Sequence, residues 1–162
     1  MVKFFKRYLT LLLIIIPINI GAVMNSDIQI SNYKVIGEQI VDTATNYIGV
    51  KYRYGHSSPN GFDCSGLTQY VYNKHGIKIS RTAKDQYKQG EKVKKNELQS
   101  GDLVFFQGKK SKGVRHVGIV VDTLENGQFK FIHASCSKGV RISYSYETYY
   151  KIRYIGARRI LV

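Results

Sequence analysis

The stretch HVGIVVDTLENGQFKFIHA, His116 to Ala134, decides the fold class. Two short runs rich in β-branched and aromatic residues flank Glu125-Asn126-Gly127, a combination that reads as strand, tight turn, strand. Runs of the same kind lie on either side: DLVFFQ (Asp102 to Gln107) before, VRISY (Val140 to Tyr144) after, and IGARRI (Ile155 to Ile160) last. Upstream the period changes. From Glu38, the apolar residues Ile40, Val41, Ala44, Tyr47 and Ile48 recur at helical spacing, with Gly49 placed as a C-terminal cap. KYRYGHSSPNGFD (Lys51 to Asp63) is a loop by composition. A second helix starts at Cys64, with Leu67, Tyr70 and Val71 as its stripe and Gly76 at its end, and Thr82 to Gln89 reads as a short third helix. Helices first and strands afterwards predict an α+β domain, with N-terminal helices packed on an antiparallel sheet.

The hairpin also carries two of the four histidines. With a loop of Leu124 to Gly127, Thr123 pairs with Gln128 and Gly118 lies opposite His133. His116 then sits diagonally from His133 on the same face, about 7 Å away. Any loop of even length keeps the two rings on one face and an odd one separates them. Gly118 leaves room beside the second ring.

GFDCSGL, Gly61 to Leu67, holds one of the two cysteines. Asp63 is a good N-cap type, which puts Cys64 in the first helical turn. There the helix dipole favours a thiolate, the reactive form of the side chain. Ser65 and Gly66 add little bulk beside it. Two readings stand: a nucleophile awaiting a base, or a small buried hydrophobe. A histidine close to that thiol, held by a second polar group, makes the nucleophile–base–orienter arrangement. His75, beside Lys74 at a helix end, reads as solvated, and His56 lies in the loop.

The beginning of the chain reads as a secretory leader over residues 1–22: Lys3, Lys6 and Arg7, then the apolar LTLLLIIIPINI (Leu9 to Ile20), then Gly21 and Ala22. An uncleaved membrane anchor is the alternative, although Pro17 and Asn19 interrupt a run already shorter than the roughly 20 residues of a spanning helix. Residues 23–37 are polar and aperiodic and read as a tether, leaving 38–162 as one domain. The formal charge is +14; the leader holds three of 25 basic residues and no acid, so 22 basic against 11 acidic residues leave +11. Such a balance favours anionic partners. For an exported protein these are envelope polymers and cell-wall peptides rather than nucleic acid.

YRYG (Tyr52 to Gly55), GFDCSGL, RTAKDQ (Arg81 to Gln86), GDLVFF (Gly101 to Phe106), RHVGIVV (Arg115 to Val121), FIHAS (Phe131 to Ser135) and GARRI together resemble the NlpC/P60 cysteine peptidases of bacterial cell walls. The resemblance runs from about Glu38 to the C-terminus. It implies a papain-like α+β fold, with Cys64 as nucleophile, His116 as general base and His133 as the residue orienting that base. It also implies that Tyr52 lies near the oxyanion site, that Asp63 and Ser65 contact substrate, and that Arg81 and Gln86 are structural or line the groove. Where the family usually has a second glycine after Gly55, this chain has His56, a titratable ring expected at the cleft edge. Cys136 is a second departure: it offers a disulfide to Cys64 or remains a free thiol.

The expected activity is that of an exported, monomeric bacterial endopeptidase of the periplasm, envelope or exterior. It hydrolyses stem-peptide amides of peptidoglycan, most often the γ-D-glutamyl–meso-diaminopimelate bond in this family and the D,D cross-link in some short relatives. An inactive wall-binding module and an acyl or amide transferase are the rivals. No cofactor and no metal are expected, because the histidines are spaced for a thiol and nothing completes a zinc set.

Overall fold

Leu103, Val104, Phe105 and Phe106 are consecutive and all fully buried. A strand that is apolar without alternation needs cover on both faces. The computed structural model, which describes residues 20–109 and 111–160, provides that cover. Strands β1 (Ser57–Ser58) and β2 (Gly61–Phe62) form a small hairpin. Strands β3 (Glu91–Val93), β4 (Leu103–Gly108), β5 (Ser111–Thr123), β6 (Phe129–Ser135), β7 (Gly139–Tyr144) and β8 (Tyr154–Arg159) form one antiparallel sheet, in the order β3-β8-β4-β5-β6-β7.

Helices α1 (Ile20–Thr45), α2 (Cys64–Lys74) and α3 (Ala83–Gln86) cover one face. Ile40, Val41 and Ala44 of α1, Leu67 and Val71 of α2 and Ala83 of α3 pack there with Leu103, Phe105, Val117, Ile119 and Ile132. The other face carries Val104, Phe106, Val120, Phe129 and Phe131 under Tyr150 of α4 (Thr148–Lys151). The architecture is the α+β arrangement that the order of elements predicts.

The first helix differs from expectation at both ends. It begins at Ile20 rather than near Glu38, so residues 23–37, expected to be an aperiodic tether, are helical. Among the described residues, Tyr33, Ile36 and Ile40 continue the buried face of the helix towards its N-terminus, and Gly37 lets it approach the Ser100 carbonyl closely. Tyr33 is buried, and its hydroxyl donates to Oδ1 of Asp102 at 2.9 Å. Asp102, fully buried, is also gripped by Nε and Nη2 of Arg159 at 2.9 and 2.8 Å. The helix ends at Thr45, and a turn carries the chain to Gly49. The leader expected over residues 1–22 lies outside the described residues, apart from its last three positions. Among the described residues, no helix is long and apolar enough to cross a membrane.

Candidate active site

Asp63 caps α2 as its residue type predicts. It has an extended backbone, and its Oδ1 accepts the amide of Gly66 at 2.7 Å. Its second oxygen accepts the amide of Gly55 at 2.9 Å, and Arg81 clamps both oxygens at 3.0 and 2.6 Å. Burial alone would raise the Asp63 carboxyl, but Arg81 and the amides of Gly66 and Gly55 outweigh it and hold the group below its usual range. Arg81 also donates to Oγ of Ser65 at 3.2 Å. Gln86 is fully buried and ties α3 to α2 by donating to the carbonyl of Ser65 at 3.1 Å. Gly66 does not make space for substrate: a Cβ there would lie 2.1 Å from the carbonyl oxygen of His56, whose loop packs against the helix.

This cap sets Cys64 as the first residue of α2, with only 9% of its surface exposed. Burial pushes its thiol up to about 11, the Asp63 carboxylate adds to the rise, and the amides of Val117 and Ser65 oppose it. The thiolate expected from the helix dipole is therefore corrected: desolvation outweighs the dipole, and the resting sulfur keeps its proton.

The two histidines come together. Nε2 of His116 lies 2.9 Å from Nδ1 of His133, and the ring centroids are 4.8 Å apart at 84°. The register producing this has two compensating steps. Thr123 pairs with Phe129, not Gln128, so the loop is one residue longer than expected. A bulge at Val121 then shifts the register back, so that Val120 pairs with Phe131 and Ile119 with Ile132. Continuing that ladder places Gly118 opposite His133. A Cβ on Gly118 would meet Phe131 at 2.7 Å and the Cβ of His133 at 3.2 Å, so the second ring needs a glycine beside it.

The pair lies on the side of the sheet turned away from α2. Phe105 and Val117 pair within the helix-side core, whereas Phe106 pairs with His116 and their rings lie 6.1 Å apart with Phe131 and Tyr150. Cys64 meets β5 at its flank, where a second bulge, between the pairs Phe106–His116 and Gln107–Val114, leaves Arg115 unpaired. The thiol donates to the Arg115 carbonyl at 3.9 Å, and among the described residues no hydrogen bond joins it to an imidazole. Its neighbours on β5 are the residues either side of His116. With Nε2 committed to His133, Nδ1 is the nitrogen of His116 left for the sulfur.

Both rings are neutral. Burial pushes His116 down to about 4. His133, fully buried, is held well below its usual value by burial first, then by His116 and Arg141. On its far side, Nε2 of His133 meets Oγ of Ser143 at 3.1 Å and the hydroxyl of Tyr150 at 3.2 Å. Neither hydroxyl was expected in the site. Ser143, a buried polar residue within an apolar strand, was the available signal, whereas α4 had none.

A cleft of about 700 Å³ opens over Cys64, lined by Tyr52, Asp63, Ser65, Arg81, Lys84 and Arg115 among others. Tyr52 bridges to Phe62 and is half-buried. Burial first, then the Cys136 thiol beside its hydroxyl, push its pKa upward, so it keeps a proton to donate. His56 is exposed and absent from the cleft lining; its carbonyl, which accepts the Asp63 amide at 2.9 Å, is the part that serves the site. Cys64 and Cys136 are both free. Asp63 is the one carboxylate lining the cleft, and Arg81 satisfies it; Lys84 and Arg115 form no ion pair among the described residues.

A model of the NlpC/P60 family matches residues 49–159. The chain belongs to the NlpC/P60 family. Among curated NlpC/P60 relatives it is similar to the gamma-DL-glutamyl hydrolase of Bacillus subtilis (strain 168), at 41% identity over 82% of this chain and 32% of the relative. It is also similar to the murein DD-endopeptidase MepS/murein LD-carboxypeptidase of Escherichia coli (strain K12), at 40% identity over 78% of this chain and 64% of the relative. The chain therefore spans about a third of the first and under two thirds of the second. A crystal structure of an NlpC/P60 family protein from Bacillus cereus ATCC 10987 superposes with a TM-score of 0.70 at 35% identity, over 78% of this chain and 40% of that one. The papain-like α+β fold of that family is the fold described above.

Proposed function

We propose that this chain is an exported peptidoglycan endopeptidase with Cys64 as nucleophile, His116 as general base and His133 as its orienting partner. The observation that carries the reading is the imidazole pair, bonded at 2.9 Å, whose His116 stands on the strand that flanks the Cys64 sulfur. The names of the relatives, a γ-glutamyl hydrolase and a murein endopeptidase, support the substrate class. So does the cleft, whose cations Lys84 and Arg115, in no ion pair among the described residues, suit the free carboxylates of stem peptides.

Catalysis begins from a neutral thiol and a neutral imidazole. The thiol leaves the Arg115 carbonyl and turns to Nδ1 of His116, which takes its proton as the sulfur attacks the peptide carbonyl. The backbone N–H of Cys64, unpaired in the first turn of the helix, and the Tyr52 hydroxyl face the developing oxyanion. His116 then delivers its proton to the leaving amine, and water releases the thioester. Asp63 and Ser65 hold the cleft wall through Arg81 and contact the peptide from there.

The scissile bond is the γ-D-glutamyl–meso-diaminopimelate amide. Cleavage of the D,D cross-link is the second reading, favoured by the similarity to the murein DD-endopeptidase, of which 64% is covered against 32% of the γ-glutamyl hydrolase. Mass spectrometry of fragments released from purified sacculi separates the possibilities. A new amino terminus at the α-amino group of diaminopimelate supports the first bond, and one at its side-chain amine, with D-alanine as the new carboxyl terminus, supports the second. Modified but intact stems mean transfer chemistry, and no release at all means a binding module.

A further inference from the structure

His133 touches polar groups at both ring nitrogens, and they make unequal demands. Nδ1 faces Nε2 of His116 at 2.9 Å, while Nε2 faces Oγ of Ser143 at 3.1 Å and the Tyr150 hydroxyl at 3.2 Å. His133 and Ser143 are fully buried and Tyr150 is 8% exposed, so no bulk water intervenes. A neutral imidazole has one N–H, so one of its nitrogens donates and the other accepts.

Only one of the two arrangements leaves a base for the thiol. With the proton on Nε2, His133 donates to the hydroxyl oxygens, and its Nδ1 accepts from the Nε2–H of His116. Nδ1 of His116 is then bare and can take a proton. With the proton on Nδ1, His133 donates to Nε2 of His116, which forces the proton of His116 onto Nδ1 and closes that nitrogen.

Two features favour the first arrangement. Both oxygens lie within reach of a single N–H shared between two acceptors, so one proton on Nε2 serves both. When His116 becomes doubly protonated during the reaction, its Nε2–H needs an acceptor, and a charge-assisted bond to a bare Nδ1 supplies one.

We propose that Ser143 and Tyr150 are positioning residues that hold His133 as its Nε2–H tautomer and thereby keep Nδ1 of His116 open to accept the Cys64 proton. In this scheme one proton moves, from Sγ to Nδ1 of His116, and His133 keeps its own throughout. The proposal rests on the reading of His116 as the general base.

Nitrogen-15 NMR of the ligand-free wild-type protein reads the tautomer directly and needs no substrate. A proton on Nε2 of His133 is the expected result; a proton on Nδ1 overturns the proposal, whatever the protein does to peptidoglycan. In the double variant Ser143→Ala/Tyr150→Phe, the resonances are expected to show loss of the single tautomer. Its kcat on sacculus fragments should fall by about 10²-fold or more while KM stays within about two-fold, the signature of lost acid–base chemistry. Each single variant loses less, because one oxygen remains, and Ser143→Thr in the Tyr150→Phe background retains the hydroxyl and with it the tautomer. A folded double variant with wild-type kcat refutes the proposal. Should the double variant not fold, the wild-type spectrum still decides.

Discussion

Nε2 of His116 and Nδ1 of His133 are 2.9 Å apart on adjacent strands, packed beneath Phe106, Phe131 and Tyr150. That bond determines which nitrogen of His116 remains for the sulfur. The burial that shelters it also determines the charge of every reacting group at rest.

The sulfur should behave as a poor nucleophile until a substrate carbonyl arrives. With the thiol pushed up to about 11, its alkylation by iodoacetamide is expected to quicken steadily from pH 7 towards pH 11. A Cys136→Ser background removes the exposed thiol from the measurement. A rate already at its plateau by pH 7 would show a preformed thiolate–imidazolium pair instead.

Acid should destabilise the fold through the same two rings. Both histidines have folded values below the ordinary one of 6.5, His116 at about 4. A depressed base takes up protons more readily when unfolded, so its contribution is complete above about pH 6.5 and is lost as pH falls towards 4. Asp63, whose carboxyl is held below its usual range, stabilises the fold fully throughout this window and loses that contribution only at still lower pH. The melting temperature should fall monotonically from pH 7 to pH 4, and His133→Gln should flatten that slope. A melting temperature independent of pH in this window contradicts the burial argument.

Tyr33, in the middle of α1, is tied to the sheet by its bond to Asp102. Tyr33→Phe removes one hydrogen bond to a buried carboxylate and should cost about 1.5–3 kcal/mol in urea unfolding. A chain begun at Glu38 loses the whole anchor and should be less stable still. Equal stability for the two lengths would restore the tether.

Charge in the cleft should govern affinity rather than turnover. Lys84→Gln combined with Arg115→Gln is expected to raise KM by about two- to ten-fold with kcat little changed, and the difference should shrink in high salt. An unchanged KM would remove these cations from substrate recognition.

How much of this was legible depends on the kind of information each feature needed. Asp63 and Cys64 were readable because an N-cap is a local event. The shared face of His116 and His133 was readable because strand parity survives compensating errors: the longer loop and the Val121 bulge cancel. Which face that would be was not readable, since it depends on how β5 passes α2 and on the bulge at Arg115, neither of which has a sequence signal. The thiol's raised pKa was missed for the same reason, because burial is a property of the packed molecule. Residues 23–37 read as a tether because the positions that pack, Tyr33, Ile36 and Gly37, include a polar-tipped ring and a glycine that an apolar period does not pick out.

The most direct test compares digestion of purified sacculi by the wild-type protein and by Cys64→Ser. Release of stem-peptide fragments by the wild type, and none above background by the variant, is the expected result. Digestion by the variant at the wild-type rate would contradict the assignment of that sulfur as the attacking atom.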